Sequence, residues 1–176
     1  MNYAEIKEVD IANGPGVRVS LFVSGCTHHC KGCFNEVAWD FDYGKPFTPD
    51  VENRLIEALR PYYVRGLTLL GGEPLDPVNQ AAVLRFVRRV RNELPDKDIW
   101  CYTGYVYDKQ IRNGMWDTVM ETKELIPLFD VLVDGPFIEA QKDISLKFRG
   151  SSNQRIIDVQ KTLKNDSVIL YEPAYQ

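Results

Sequence analysis

VRVSLFVSGCTHHCKGC, residues 17–33, joins an alternating segment to three closely spaced cysteines. Residues 17–23 alternate apolar with mostly polar side chains, as a half-buried strand does. This strand leads directly into Cys26, Cys30 and Cys33. In a reducing compartment, cysteines this close together indicate metal chemistry rather than disulfides. The segment therefore predicts a metal-binding loop at the carboxyl end of a strand.

Strand and helix signals alternate after this loop. Short apolar segments predict strands over residues 66–70, 99–103 and 131–133. Helices are predicted to begin at the cap residues 48–50 and 76–77, and a third helix is predicted over 116–125. Strands that alternate with helices favour parallel βαβ units.

The number of strands limits the fold. Roughly four to six parallel strands fit this length, whereas a closed eight-stranded barrel needs about 250 residues. We therefore predict an α/β fold, a partial, open parallel βα barrel, in a single domain over residues 1–176. Predicted strand ends carry Gly71, Gly72, Glu73, Thr103 and Asp134. Because ligands bind at the carboxyl ends of such strands, we expect these residues to line one mouth with the cysteine loop.

The composition argues against several classes of function. The 25 acidic and 21 basic residues give a net charge of -4, and no sustained basic run is present to bind nucleic acid. The amino end lacks the apolar core of a signal peptide, and no apolar run approaches the roughly 20 residues of a membrane span. We therefore expect a cytoplasmic protein with no nucleic-acid or membrane partner.

The cysteine loop has the spacing CxxxCxxC, and its soft sulfur ligands favour iron–sulfur, zinc or Cu(I) sites. A structural zinc site needs four protein ligands, so His28, His29 or Cys101 would have to supply the last one. A cubane cluster held by three cysteines instead leaves one iron open for a substrate. Cys101 lies inside an apolar strand and is predicted to be a core residue. Both histidines are predicted to be solvated.

The segments around the cysteines resemble a known family. Residues 13–35 resemble the opening of radical S-adenosylmethionine (SAM) enzymes that activate glycyl-radical proteins. Blocks similar to the activators of anaerobic ribonucleoside-triphosphate reductase follow in order over residues 25–35, 71–74, 103–105, 131–135 and 149–154. Two residues depart from the family patterns: Gly32 stands where many radical SAM enzymes carry an aromatic residue, and Pro136 stands where related activators carry lysine.

The resemblance implies an oxidoreductase with two cofactors. Cys26, Cys30 and Cys33 would bind one [4Fe–4S] cluster, whose open iron would chelate the amino nitrogen and carboxylate of SAM. The partner would be the large subunit of anaerobic ribonucleoside-triphosphate reductase, a glycyl-radical protein. The electron donor would be a flavodoxin or ferredoxin. No side chain is assigned as a catalytic residue.

The same resemblance implies the SAM contacts. The loop of Gly71, Gly72 and Glu73 would hold the methionine amino group, because glycines allow close backbone approach and a carboxylate accepts from ammonium. Thr103 would touch the SAM side of the cleft. Asp134 would take a ribose hydroxyl or the SAM ammonium.

The carboxyl-terminal part of the sequence gives weaker signals. Residues 149–155 form a polar turn by composition, and the resemblance implies that an arginine there pairs with the SAM carboxylate or with the partner protein. Two short strands are predicted over 156–159 and 168–171, with a frayed tail over 171–176. No function is predicted for the segment after Arg155.

Two other functions remain open. One is a small-molecule radical SAM enzyme of the deazaguanine-synthase type, and the other is a zinc-stapled binding module. A short open barrel without cysteines for further clusters suits a protein substrate better than a small one. A zinc module leaves the Gly-Gly-Glu-Pro loop at residues 71–74 without a role.

Overall fold

A computed structural model describes residues 1–172. One seven-stranded sheet runs through this part of the chain. Its strands are β1 Asn2–Asp10, β2 Val17–Val23, β3 Lys45–Pro46, β4 Val64–Gly71, β5 Asp98–Tyr102, β6 Val131–Asp134 and β7 Arg155–Asp158. The α-helices are α1 Pro49–Leu59, α2 Pro77–Glu93, α3 Trp116–Thr118, α4 Thr122–Leu125 and α5 Val159–Asn165.

The strand order is β3-β1-β2-β4-β5-β6-β7. The strands β2, β4, β5 and β6 are parallel to one another, whereas β1 and β7 pair antiparallel at the two sides of this group. The predicted open parallel barrel is therefore matched only in part. The short connection 11–16 between β1 and β2 explains one difference, since a parallel pair needs a crossover of about a dozen residues or more.

The two long helices begin where the sequence predicts. The Thr48 hydroxyl accepts from Val51 N at the start of α1, and the Asp76 carboxylate accepts from Val78 N at the start of α2. Each helix has proline in its first turn. Their apolar faces bury residues that include Leu55, Ile56, Leu59, Phe86, Val87 and Val90. Burial of each such side chain contributes about 1.5–3 kcal/mol, which fixes both helices against the sheet.

The predicted helix over 116–125 is wrong in its bounds. The chain forms a π-helix over Tyr107–Met115, the short helices α3 and α4, and a 3₁₀ turn over Ile126–Leu128. Asn113 has non-helical backbone angles inside the π-helix. The helical region therefore starts nine residues earlier than predicted and is broken into pieces.

The other face of the sheet is covered by loops instead of helices. Trp100, Val131 and Val133 form a small cluster there, against which Phe148 and Tyr171 pack. Tyr171 N donates to Ile156 O at 2.8 Å, so the fraying predicted to begin at Tyr171 is wrong at that residue. Residues 173–176 of the predicted tail lie outside the described part of the chain.

The two predicted carboxyl-terminal strands have different outcomes. The first is present as β7, although Val159 already belongs to α5. The second is reduced to a single bridge between Leu170 and Ile157. Across residues 1–172, none of the helices combines the length and apolar character needed to span a membrane.

Candidate iron–sulfur site

The carboxyl ends of the four parallel strands open into one cavity of about 400 Å³. Its wall includes Cys26, Cys30, Cys33, Gly71 and Thr103. The loops between β1 and β2 and between β6 and β7 also contribute to the wall, through Ala12, Asn13, Gly135, Phe137, Lys142, Phe148, Arg149, Gly150 and Gln154. The structure thus brings the cysteine loop and two of the predicted strand-end residues to one place.

The cysteine loop is held in position by backbone hydrogen bonds on both sides. Gly25 N donates to Ala38 O at 2.8 Å, and Glu73 N donates to Gly25 O at 2.7 Å. Gly25 has a φ of +93°, and a Cβ there would lie 2.1 Å from the ring of Phe41. Only glycine fits this backbone position, which fixes where Cys26 starts the loop.

The three thiols differ in exposure. Cys26 is 8% exposed, whereas Cys30 and Cys33 are half-buried. Burial raises the pKa of the Cys26 thiol to about 11 and also raises the pKa of Cys30. Because a metal binds the thiolate, binding at this loop must displace the protons of the Cys26 and Cys30 thiols.

The donor set fits an iron–sulfur cluster. Three thiols of one loop face one cavity, and thiolates are the ligands of iron–sulfur clusters. Over residues 1–172, no group of three or more His, Cys, Asp or Glu side chains is placed to hold a single metal ion. A cubane cluster, in contrast, accepts its three thiolates on three different iron atoms, so the thiols need not meet at one point.

Of the other candidate zinc ligands, Cys101 and His29 lie outside the cavity wall, whereas His28 lines it. Cys101 is fully buried in the main hydrophobic core, as predicted, and burial raises its pKa well above the usual value. The ring of His29 stacks on Trp39 with centroids 4.6 Å apart. His28 packs edge-on against Tyr105 at 4.4 Å, so the prediction that this histidine is solvated is wrong.

Glu73 is completely buried and joins three segments. Its Oε1 accepts from Leu75 N at 2.9 Å, and its Oε2 accepts from Gly104 N at 2.7 Å. His28 Nε2 lies 2.9 Å from the same Oε2. The carboxylate therefore connects the cysteine loop to the ends of β4 and β5, and it does not line the cavity wall.

The two glycines after β4 have different environments. Gly71 lines the cavity and has a φ of +108°, a conformation that favours glycine. Gly72 N donates to Val23 O at 2.7 Å, and a Cβ on Gly72 would lie 2.5 Å from Gly25 O. Position 72 therefore requires glycine because the backbone there packs directly on the backbone of the cysteine loop. Gly72 itself does not line the cavity.

Asp134 does not line the cavity. It is 1% exposed, and its two oxygens accept from Arg155 Nε at 3.0 Å and from Arg155 Nη2 at 2.5 Å. Tyr107 N also donates to Asp134 Oδ2 at 2.8 Å. These bonds occupy the carboxylate, so direct contact with SAM has no support in this geometry. Thr103, by comparison, lines the cavity, and its hydroxyl accepts from Tyr105 N at 3.1 Å.

The polar turn over 149–155 is held by its own hydrogen bonds. Arg149 Nη1 donates to Gln154 O at 2.7 Å, and Gln154 Oε1 accepts from Gly150 N at 2.8 Å. Gln154 Nε2 donates to Gly135 O at 3.0 Å, which fixes the turn to the end of β6. Arg149, Gly150 and Gln154 line the cavity, so the turn forms part of its wall.

Several aromatic wall residues were missed from the sequence. These residues are Tyr102, Phe137 and Phe148, which line the cavity. The position of Tyr102 at the end of a predicted strand was the one available signal. Phe137 and Phe148 lie in a long irregular connection, for which the sequence carries no periodic pattern.

Comparison with known proteins identifies the family. Residues 12–157 match the model of the 4Fe-4S single cluster domain. The chain is 45% identical over 158 residues to the anaerobic ribonucleoside-triphosphate reductase-activating protein of Vibrio cholerae, covering 89% of this chain and 97% of that protein. It is 45% identical over 156 residues to the protein of the same name from Escherichia coli, covering 88% and 96%.

A more distant relative extends the comparison to a virus. The activating protein of enterobacteria phage T4 is 39% identical over 158 residues, covering 89% of this chain and 93% of that protein. The match to a 4Fe-4S domain favours the iron–sulfur interpretation of the cysteine loop over the zinc module. The chain therefore belongs to the family of anaerobic ribonucleoside-triphosphate reductase-activating proteins.

Proposed function

We propose that this chain is a radical SAM activase that generates a glycyl radical on the large subunit of anaerobic ribonucleoside-triphosphate reductase. The observation that carries the proposal is that Cys26, Cys30 and Cys33 face one cavity, whereas Cys101 is buried in the core. Three cysteine ligands leave one iron of a cubane cluster available to SAM. The names of the relatives supply the partner.

A cluster held by Cys26, Cys30 and Cys33 would supply one electron for the cleavage of SAM, and the hydrogen atom lost by a glycine of the reductase would end on 5′-deoxyadenosine. The products are methionine, 5′-deoxyadenosine and the glycyl radical. A flavodoxin or ferredoxin of the cytoplasm is proposed as the reductant. The protein contributes position and exclusion of water rather than acid or base catalysis.

The residues of the chain have distinct parts in this function. Gly71 and Thr103 form the wall where SAM would lie beside the cysteine loop. Gly72 and Glu73 support that wall from behind through backbone contacts and buried hydrogen bonds. Asp134 supports the cavity indirectly, because its carboxylate accepts hydrogen bonds from Arg155 and from Tyr107 N at the start of the π-helix.

The test is an anaerobic assay of the reconstituted protein with SAM, a reductant and the large reductase subunit. We expect 5′-deoxyadenosine and a glycyl-radical EPR doublet with the normal subunit. A subunit whose radical-site glycine is replaced by alanine should give no doublet. Equal radical yield on both subunits, or none on either, would contradict the proposal and leave a small-molecule substrate as the alternative.

A further inference from the structure

The side chains of the cysteine loop alternate between the cavity and solvent. His28 and Cys30 line the cavity. Their neighbours Thr27, His29 and Lys31 are exposed and lie outside the cavity wall. The loop therefore separates the cavity from solvent by a single backbone segment. Its outward-facing side, here called the outer loop surface, consists of Thr27, His29 and Lys31 together with Trp39, on which His29 stacks.

His29 is held in an uncommon conformation at the centre of the outer loop surface. Its φ is +47°, in the left-handed region that residues other than glycine seldom adopt. Its ring stacks on Trp39 with centroids 4.6 Å apart and ring planes 26° apart. The next residue, Cys30, lines the cavity. A strained residue beside a candidate cluster ligand indicates a function for its outward-facing ring.

The outer loop surface also carries a positive charge that is easily rearranged. Residues 26–33 contain Lys31 and no acidic residue. Lys31 Nζ lies 3.2 Å from Glu139 Oε2, and the two side chains are 90% and 51% exposed. An ion pair this exposed contributes about 0–1 kcal/mol, so Lys31 can exchange Glu139 for a carboxylate of another protein. The charge of Lys31 favours a partner with an acidic surface and speeds its association.

The proposed function requires two proteins to approach the cysteine loop. The acceptor glycine of the reductase must reach SAM through the mouth of the cavity. The electron donor must also come close, because the rate of electron transfer falls steeply with distance. The outer loop surface gives the donor a separate approach, since His29 is covalently next to Cys30.

We infer that the outer loop surface is the docking site of the electron donor, a flavin or iron–sulfur protein with an acidic surface. This inference rests on the proposed function and places one of its partners. The donor is oxidised by one electron, and the cluster held by the loop is reduced by the same electron. Weak redox complexes bury less than about 1,200 Å², so the surface of one loop and its stacked tryptophan suits a transient donor.

The first test follows reduction of the cluster alone, without SAM or reductase. Reconstituted wild type, Lys31→Glu and His29→Ala are mixed anaerobically with reduced flavodoxin, with reduced ferredoxin or with dithionite. Stopped-flow spectroscopy records the bleaching of the cluster absorbance. The control is Lys164→Glu, which reverses an exposed charge on α5. This helix begins at the end of the sheet opposite to the cysteine loop.

We expect Lys31→Glu to slow reduction by the protein donor ~3- to 10-fold at low salt, and the difference should shrink at high salt. His29→Ala should slow the same step at both salt concentrations, because it removes contact surface and not charge. Lys164→Glu should match wild type. Iron content and reduction by dithionite should be the same in all four proteins, because dithionite needs no docking site.

A second test uses the cluster-free protein, so that it does not depend on electron transfer. A carbodiimide joins lysines to carboxylates that already lie in contact. We expect mass spectrometry to find Lys31 joined to the donor and Lys164 not joined. Cross-links at other lysines without one at Lys31 would overturn the inference.

Two kinetic results would also overturn it. If dithionite reduces the Lys31 and His29 variants as slowly as the protein donor does, these residues act on the cluster itself. If neither variant slows reduction by the donor, the donor docks elsewhere. The proposed function fails separately: a wild-type protein that is reduced through this surface but forms no glycyl radical on the reductase would overturn that function and leave the docking site standing.

Discussion

His28 Nε2 lies 2.9 Å from Glu73 Oε2, and the same oxygen accepts from Gly104 N at 2.7 Å. The cysteine loop is thus connected through one buried carboxylate to the end of β5. A loop that carries cluster ligands must keep a fixed distance from the wall where SAM is proposed to lie. The contact between His28 and Glu73 provides that restraint.

We predict that His28→Ala lowers SAM affinity by about 1–3 kcal/mol and also lowers the free energy of unfolding, because a buried carboxylate loses a partner. His29→Ala is the matched control, since His29 is exposed and stacks on Trp39. Calorimetry with SAM and thermal unfolding measure the two effects. Equal values for the two histidine variants would show that the contact restrains nothing.

The cysteines should separate into two groups. Replacement of Cys26, Cys30 or Cys33 by alanine is expected to remove the iron and the visible absorbance of the reconstituted protein, because each supplies one ligand. Cys101→Ala should keep both, since its sulfur is in the core and outside the cavity wall. Iron analysis of the four variants tests this prediction. Loss of iron from Cys101→Ala would refute the assignment of Cys101 as a core residue.

Gly72→Ala should damage the cysteine loop itself. Its Cβ would lie 2.5 Å from Gly25 O, so the loop must shift, and we expect lower iron content as well as lower stability. Gly114→Ala is the control, because nothing lies within 4 Å of its Cβ and alanine favours a helix by up to ~1 kcal/mol. A Gly72→Ala protein with full iron content would contradict the prediction.

Asp134→Asn should destabilise the fold by about 1–3 kcal/mol without a selective effect on SAM, because Arg155 loses its buried partner and is itself partly exposed. Asp108, which is more exposed, also pairs with Arg155, and Asp108→Asn should cost at most about 1 kcal/mol. Urea unfolding of both variants measures the difference. Loss of SAM affinity with unchanged stability would restore Asp134 as a cofactor ligand.

The stability of the β1–β2 connection should depend on acid pH through Asp10. Burial alone would raise the pKa of Asp10, but hydrogen bonds from Ser20, Asn13 and Ala12 N lower it below the usual 3.8. A lowered folded pKa adds stability above the unfolded pKa, and this is lost as pH falls through the folded value. The difference in unfolding free energy between wild type and Asp10→Asn should therefore narrow as pH falls below about 4, the pKa of an unfolded aspartate. If the difference in unfolding free energy stays constant as pH falls, protonation of Asp10 is not linked to stability.

The elements predicted well are those whose signals are local. The starts of α1 and α2 follow from a capping side chain and a proline, β2 follows from an alternating pattern, and β4 follows from an apolar run. β1 was missed because its sequence, NYAEIKEVD, leaves only Tyr3 and Asp10 buried. Its strand conformation depends on antiparallel pairing with β2, which no local pattern encodes.

At the site, too, local features could be predicted from the sequence and long-range contacts could not. The three cysteines could be predicted as ligands because they are adjacent in one loop. The bonding of Asp134 could not, because its partner Arg155 lies 21 residues away and meets it through the register of β6 and β7. For Glu73, the buried hydrogen bonds depend on three loops that come together only in the folded chain.

The backbone hydrogen bonds around Gly25 set an order for maturation of the protein. Gly25 is bonded to Ala38 on one side and to Glu73, after β4, on the other. The ligand loop reaches its final shape only when β4 has docked beside β2, because Glu73 N after β4 donates to Gly25 O. We expect the iron–sulfur assembly machinery to deliver the cluster to a folded apoprotein, so that a cluster destroyed by oxygen can be replaced without refolding the chain.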